Sequence, residues 1–287
     1  MQAMHVYPSQ NILGEGPLWN EKEQAIYWVD IIGKKIQRYY PGTEKYEVFE
    51  VPLQVGLMAF REQGGLVCGT EDGFYFWDVG AKEMEFVAHP EKGKTGARFN
   101  DGKVDRKGRL WAGTMTPQGA TSALYRLDPD LNVSKMVDEV TISNGIGWSP
   151  DNTIMYFVDS IRYVIHAFDY DHETGEISNQ RPFVQMDVDF GIPDGLTVDS
   201  EGCVWCAIYN GWKVMRYAPT GEVSAEIKMP VSKPSSVMFG GKNLNELYIT
   251  SIADGLTAEE KENEPLAGDL FMVKTDVRGL PEPDFAG

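Results

Sequence analysis

A repeat of about 44 residues is the feature that most limits the folds open to this 287-residue chain. Tyr27 and Leu247 hold corresponding positions in the first and last copies, 220 residues and five steps apart. Each copy carries a short apolar run that follows a turn rich in Gly, Asp, Asn or Lys. The six runs lie at residues 26–30, 66–68, 110–112, 155–157, 204–206 and 247–249. Repeats of this length and pattern are typical of β-propeller blades.

Each copy has room for four short β-strands, except the sixth, which runs out of chain soon after Lys274. The β-like run at residues 3–7 is free to fill that place and so protect the edge of the last sheet. We therefore predict an all-β fold: a six-bladed β-propeller with four antiparallel strands per blade, whose N-terminal strand closes the last blade. A single domain is expected over residues 1–287, and the acidic stretch 257–264 is expected to be a solvated loop.

Charge and composition exclude several classes of protein. The chain has 26 Lys and Arg against 43 Asp and Glu, a formal net charge of −17, which disfavours nucleic acid and anionic membrane surfaces as partners. No apolar run approaches the roughly 18 to 20 residues of a membrane span, and residues 1–10 lack a signal-peptide pattern. Three cysteines, an odd count, argue against a disulfide framework. We therefore expect a cytoplasmic protein.

One repeat phase carries an unusual number of oxygen-bearing side chains. The residue before the glycine (a serine in the sixth copy) that opens each innermost strand would face the central channel, and five of these six residues are polar. Reading the blades in order, these residues are Glu15, Val55, Asp101, Asn144, Asp194 and Ser235. Several oxygen ligands converging on one axis favour a hard divalent cation. The alternative is that each Asp-Gly or Asn-Gly pair forms a tight turn, which is the commoner role of such dipeptides.

A second polar cluster adjoins this ring. Arg98 and Asn100 lie within three residues of Asp101, and a guanidinium with an amide can bind the oxygens of a polyhydroxylated ligand. The alternative roles are a structural ion pair for Arg98 and a turn cap for Asn100. The four histidines show neither zinc-ligand spacing nor a catalytic triad context, and no Gly-x-Ser-x-Gly motif occurs.

The chain resembles the SMP-30/gluconolactonase/regucalcin-like family over residues 12–274. The motifs that carry the resemblance are GEGPLW at 14–19, RFNDGK at 98–103, LWAGTM at 110–115, SNGIGWS at 143–149 and PDG at 193–195. The resemblance implies a six-bladed propeller that binds one divalent metal ion through Glu15, Asn144 and Asp194. It also implies that Arg98 and Asn100 bind the substrate.

The sequence departs from the family pattern, or from our ring argument, at two places. Asp101 belongs to a shared motif but is not implied to be a direct ligand, and here we follow the resemblance. Some members carry a substrate-binding acid just after the Gly-Thr-Met segment, whereas residues 116–119 read Thr-Pro-Gln-Gly here. The resemblance therefore leaves the preferred substrate open.

These inferences favour a metal-dependent lactonase that opens sugar lactones, meaning aldonolactones such as gluconolactone. The metal, Ca²⁺, Zn²⁺, Mn²⁺ or Mg²⁺, would polarise the carbonyl and activate water, with Asp194 as general base. Arg98 and Asn100 would orient the sugar. Two alternatives remain: an arylester or phosphotriester hydrolase using the same metal, and a non-catalytic calcium-binding propeller. A sugar lactone is the expected partner, and a monomer or weak homodimer the expected state.

Overall fold

The computed structural model describes residues 1–119 and 121–287, and within them 24 β-strands form six four-stranded antiparallel sheets. The sheets are the blades of a six-bladed β-propeller, which confirms the predicted fold class, blade number and strand number. Blades 1 to 3 contain β2 (Gly14–Asn20), β3 (Ala25–Asp30), β4 (Lys35–Tyr40), β5 (Lys45–Glu50), β6 (Val55–Phe60), β7 (Leu66–Thr70), β8 (Gly73–Trp77), β9 (Glu85–Ala88), β10 (Arg98–Val104), β11 (Leu110–Met115), β12 (Ser122–Leu127) and β13 (Val133–Val140). Blades 4 to 6 contain β14 (Ser143–Trp148), β15 (Ile154–Asp159), β16 (Val164–Tyr170), β17 (Ile177–Gln185), β18 (Ile192–Val198), β19 (Val204–Tyr209), β20 (Lys213–Tyr217), β21 (Val223–Lys228), β22 (Pro234–Gly240), β23 (Glu246–Ser251), β24 (Leu270–Lys274) and β1 (Met4–Tyr7).

The N-terminal strand closes the ring, as predicted. Strand β1 pairs antiparallel with β24 and becomes the outermost strand of blade 6. The pair is reinforced by a side-chain contact, because His5 Nε2 lies 2.8 Å from Asp269 Oδ2. This closure joins the two ends of the chain in one sheet and covers an edge that would otherwise be exposed.

The innermost strand of each blade lines a central channel. Strands β2, β6, β10, β14, β18 and β22 each contact the innermost strands of the two neighbouring blades. The glycine after each ring position allows this approach in most blades: a Cβ at Gly56 would lie 2.2 Å from the Phe99 carbonyl oxygen, and one at Gly145 would lie 2.4 Å from Leu196 N. These glycines lie within strands, so the interpretation of the Asp-Gly and Asn-Gly pairs as tight turns is wrong.

Buried aspartates help to hold the blades together on the side away from the ring residues. Asp105 follows β10 directly and accepts a hydrogen bond from Trp111 Nε1 at 2.9 Å. Asp199 follows β18 and accepts one from Trp205 Nε1 at 2.8 Å. The same Asp–Trp pair therefore recurs two blades apart, and in both pairs the carboxylate also binds an arginine.

Residues 275–287 run across the end of the channel opposite the ring positions, where their backbone bonds to Phe60, Gly108 and Ser200 in blades 2, 3 and 5. Phe285 is fully buried in the apolar cluster between blades 2 and 3. Glu282 enters the channel and forms an ion pair with Lys103, at an Nζ–Oε1 distance of 3.3 Å. A cavity of about 30 Å³ remains beside them, enough for a water molecule. The way into the channel is therefore the end where the inner strands begin.

The prediction of a loop at residues 257–264 is wrong in one respect. Helix α1 (Ala258–Asn263) occupies this connection, and it begins with a capping box in which the side chains and backbones of Thr257 and Glu260 bond reciprocally. Two single-turn 3-10 helices are also present, at Ser160–Arg162 and Val188–Phe190. In the described part of the chain no helix is long and apolar enough to cross a membrane.

Candidate functional site

A β-bulge turns the ring residues toward the channel. In every blade the pairing between the innermost strand and its neighbour shifts register at or next to the ring position. A bulge adds one residue to one strand and re-aims a side chain that the regular alternation would direct elsewhere. Six bulges at the same phase therefore gather side chains from six blades at one end of the channel.

Glu15, Asp101 and Asp194 are the buried carboxylates of this ring, with 5%, 9% and 7% of their surface exposed. Burial, together with the nearby carboxylates of Asp194 and Asp101, raises the pKa of Glu15 well above its usual range. Burial and Asp101 likewise raise the pKa of Asp194. Acidic groups from different blades thus interact electrostatically with one another, and each raises the pKa of its neighbours.

The ring residues fit a bound cation by their chemistry. Buried carboxylates of like charge require a counter-charge, and Arg98 is the charged residue that lowers the pKa of both Glu15 and Asp194. Asn144 is also buried and adds an amide oxygen. No group of three or more His, Cys, Asp or Glu side chains within residues 1–119 and 121–287 is arranged to hold a metal ion. Glu15, Asp194 and Asn144, the set that the resemblance implies, offer two carboxylates and one amide, and such oxygen donors suit hard divalent ions.

The other ring positions offer less to a bound cation. The hydroxyl of Ser235 is committed to the Gly14 carbonyl oxygen at 2.6 Å and to Thr250 Oγ1 at 2.9 Å, and Val55 is apolar. Asp101 accepts a hydrogen bond from the backbone N–H of Gly102. Burial raises the pKa of Asp101 to about 6, and the Gly102 N–H and Lys103 partly oppose this rise.

Arg98 and Asn100 lie beside the carboxylates, on the first strand of blade 3. Arg98 Nη1 donates to Asn100 Oδ1 at 2.7 Å and to the Phe99 carbonyl oxygen at 2.9 Å. Burial lowers the pKa of Arg98 to about 10, although Glu15 and Asp194 favour its charged form. The guanidinium is therefore charged at neutral pH, desolvated, and held against the ring.

Asn100 joins this cluster to Asn144 in the next blade. Its Nδ2 donates to the Ser143 carbonyl oxygen at 2.8 Å and to Asn144 Oδ1 at 3.2 Å. The structure therefore brings Arg98, Asn100 and Asn144 into one hydrogen-bonded chain, and places Glu15 and Asp194 within Coulombic range of Arg98.

Comparison with known proteins shows to which family this chain belongs. The model of the SMP-30/Gluconolactonase/LRE-like region matches residues 13–253. Regucalcin from Danio rerio is 40% identical over 288 residues, which cover 98% of this chain and 97% of that protein. The chain belongs to the SMP-30/gluconolactonase/LRE-like family. The family predicted from the motifs is thus confirmed.

Solved structures share the fold along nearly the whole chain. A luciferin-regenerating enzyme superposes with a TM-score of 0.92 at 30% identity, covering 99% of both chains. A gluconolactonase from Xanthomonas campestris superposes with a TM-score of 0.77, covering 95% of this chain and 89% of its own. At 23% identity this second likeness shows the fold alone.

Two contacts in this family member were not evident from its sequence. Thr116, in the segment that lacks an acid, is buried and bonded to Thr121, with 2.7 Å between their hydroxyl oxygens. Ser160, in the 3-10 helix after β15, donates to the Pro193 carbonyl oxygen at 2.7 Å and contacts Asn144. No motif marked Ser160, because its partners lie 16 and 33 residues away along the chain.

Proposed function

We propose that this protein is a metal-dependent lactonase that hydrolyses sugar lactones of the aldonolactone class. The observation that carries the proposal is the set of buried carboxylates at the accessible end of the channel, facing a guanidinium and two amides. Such a site is acidic enough to hold a cation and has directed donors for a neutral, oxygen-rich ligand. Membership of a family whose name includes gluconolactonase supports the same activity.

Glu15, Asn144 and Asp194 would hold the ion. Carboxylate and amide oxygens suit Ca²⁺, Mg²⁺ and Mn²⁺, and with less selectivity Zn²⁺. When bound, such an ion supplies Lewis acidity, which polarises a carbonyl oxygen and lowers the pKa of water. It would also offset the burial and the mutual repulsion that raise the pKa of Glu15 and of Asp194 in the protein alone.

Asp194 would act as the general base. One of its carboxylate oxygens would accept a proton from the attacking water while a new bond forms between the water oxygen and the lactone carbonyl carbon. The bond between that carbon and the ring oxygen then breaks, and the proton passes to the ring oxygen as it becomes a hydroxyl. The product is the open-chain hydroxy acid, and no nucleophilic side chain is needed.

Arg98 and Asn100 would orient the sugar. The Asn100 amide is held between Arg98 Nη1 and the Ser143 carbonyl oxygen, so its position is set before a ligand arrives. A guanidinium presents several donors in a fixed plane and can bind two hydroxyl or carbonyl oxygens at once. This preorganisation would contribute through orientation of the reacting groups.

The test combines metal binding and turnover. Metal-free protein is reconstituted with Ca²⁺, Mg²⁺, Mn²⁺ or Zn²⁺, and each form is assayed on aldonolactones and on aryl and phosphotriester esters. Glu15→Ala and Asp194→Ala should lose metal affinity and lactone turnover together. Asp169→Asn is the matched control, since Asp169 pairs with Arg181 on the surface.

The outcomes separate the alternatives. Wild-type turnover in either alanine variant would remove the proposed site. Metal binding by the wild type without turnover of any substrate would identify a non-catalytic calcium-binding propeller. Faster turnover of aryl or phosphotriester esters than of lactones would identify the other hydrolase.

A further inference from the structure

Ser160 lies between blades 4 and 5, in contact with the proposed metal ligand Asn144. Its Oγ is 2.9 Å from Asn144 Nδ2 in blade 4 and 2.7 Å from the carbonyl oxygen of Pro193 in blade 5. Only 2% of Ser160 is exposed, so water does not replace these bonds readily. The serine therefore links the side chain of one proposed ligand, Asn144, to the peptide that precedes another, Asp194.

The hydroxyl has a single proton, and this determines which way the neighbouring amide faces. A carbonyl oxygen can only accept, so the proton of Ser160 must be donated to Pro193 O. Ser160 Oγ can then only accept from Asn144, and the atom of Asn144 that faces it must be the NH2 group. The oxygen of the Asn144 amide consequently faces the other way, toward Asn100 in blade 3.

A second set of bonds acts on the opposite side of the same amide. Arg98 Nη1 is purely a donor, so the Asn100 amide must turn its oxygen to Arg98 and its NH2 group toward blade 4. That NH2 group donates to Ser143 O and to Asn144 Oδ1. Both amides are therefore locked in one orientation by partners whose roles cannot be reversed.

We propose that Ser160 is a positioning residue for metal binding: it holds the Asn144 amide with its oxygen, rather than its NH2 group, toward the cation. This inference rests on the proposed function, since it requires Asn144 to be a ligand. Without the acceptor at Ser160, only the 3.2 Å bond from Asn100 Nδ2 would hold the amide, which would rotate more readily and present a partially positive NH2 group to the ion. Residues that orient metal ligands in this way typically contribute about 10- to 100-fold in affinity.

The primary measurement is the affinity of the full-length protein for Mn²⁺ by isothermal titration calorimetry. Ser160→Ala should weaken Mn²⁺ binding by at least about 10-fold. In the lactone assay it should raise the Mn²⁺ concentration needed for half-maximal activity, with kcat at saturating Mn²⁺ much closer to that of the wild type. Ser160→Cys keeps a weak acceptor of similar size, so its affinity for Mn²⁺ should lie between those of the wild type and Ser160→Ala.

Two controls separate orientation from a general loss of stability. Ser251→Ala removes an equally buried hydroxyl that donates to the Asp269 carbonyl oxygen at 2.7 Å and accepts from Gly268 N at 3.0 Å, and it should leave Mn²⁺ affinity unchanged. Asn144→Asp replaces the amide by a group with two equivalent oxygens, which needs no orientation. In that background, Ser160→Ala should no longer weaken Mn²⁺ binding.

The results that would overturn the inference are distinct from those that would overturn the proposed function. If Asn144→Ala weakens Mn²⁺ binding but Ser160→Ala and Ser160→Cys both bind within twofold of the wild type, Ser160 has no positioning role. The same conclusion holds if Ser160→Ala weakens binding equally in the wild-type protein and in the Asn144→Asp variant. If Asn144→Ala itself binds Mn²⁺ like the wild type, the proposed ligand set is wrong.

Discussion

The buried carboxylate of Asp105 offers a stringent test of how the blades are held together. Only 1% of Asp105 is exposed. Its Oδ2 accepts from Arg109 Nε at 2.7 Å, from Trp111 Nε1 at 2.9 Å and from the Tyr170 hydroxyl at 2.7 Å. Its Oδ1 accepts from the backbone N–H groups of Lys107 and Arg109. All five of these hydrogen bonds are donated to the Asp105 carboxylate, which can only accept.

We therefore predict that Asp105→Asn is nearly as destabilising as Asp105→Ala. The isosteric amide can turn its oxygen to one set of donors only, and its NH2 group then opposes the other set. Each buried donor left without a partner costs about 1–3 kcal/mol, and breaking a buried ion pair costs about 3–5 kcal/mol. Because Arg109 keeps bonds to Tyr170 and His172, we expect a loss of about 4 kcal/mol.

The assay is urea unfolding followed by tryptophan fluorescence, with thermal unfolding as a second readout. A loss of about 4 kcal/mol corresponds to a fall in Tm of about 8 °C for a chain of this size. Asp169→Asn is the control: its carboxylate pairs with Arg181 in solvent, so the change should leave the urea midpoint and the Tm close to those of the wild type. An Asp105→Asn variant within about 1 kcal/mol of the wild type would refute the reasoning, because even one orphaned buried donor costs that much.

Three further predictions follow from other parts of the molecule. Mn²⁺ at about 100 times its Kd should stabilise the wild type by about 2.7 kcal/mol, seen as a rise in Tm that a chelator reverses, whereas Glu15→Gln should show no such rise; an equal rise in both would argue against the site. Phe285→Ala should lower the free energy of unfolding by about 3–5 kcal/mol, because Phe285 is fully buried. Phe86→Ala, at a site 56% exposed, should lower it by less than about 0.5 kcal/mol. A Phe285→Ala loss as small as that of Phe86→Ala would mean that the C-terminal segment is not part of the core. Burial lowers the pKa of His166 below its usual 6.5, so the unfolded chain binds more protons and stability should fall as the pH drops through about 6.5. His166→Gln should flatten that slope in unfolding measured between about pH 7 and pH 5, and an unchanged slope would contradict the assignment.

The fold could be predicted from the sequence because a propeller is built from local units. Within each blade, strands that follow one another along the chain pair with each other, so runs of apolar residues and turn residues report the structure directly. The exception is β1, whose partner β24 lies at the far end of the chain, and it was predicted only because the sixth repeat lacked a strand. Helix α1 was missed because its signal is a capping box of two residues, Thr257 and Glu260, without an apolar face.

The site was less accessible to sequence reasoning, since its residues come from different blades. The repeat phase pointed to Glu15, Asn144 and Asp194, but it equally pointed to Ser235, whose hydroxyl is bonded elsewhere. The bulges that turn these side chains toward the channel leave no mark in the local pattern. Asp105 and Ser160 had no signal at all, because their bonds reach partners up to 65 residues away.

The chain by itself thus determined the number of blades, the strands within them and the set of polar side chains available at the channel, because these depend on short-range periodicity. Only the closed ring decided which of those side chains face one another, which hydroxyls and amides are already bonded, and which end of the channel is blocked. Those properties depend on contacts between residues far apart in sequence, and the bonding and desolvation that they impose exist only once the blades have packed.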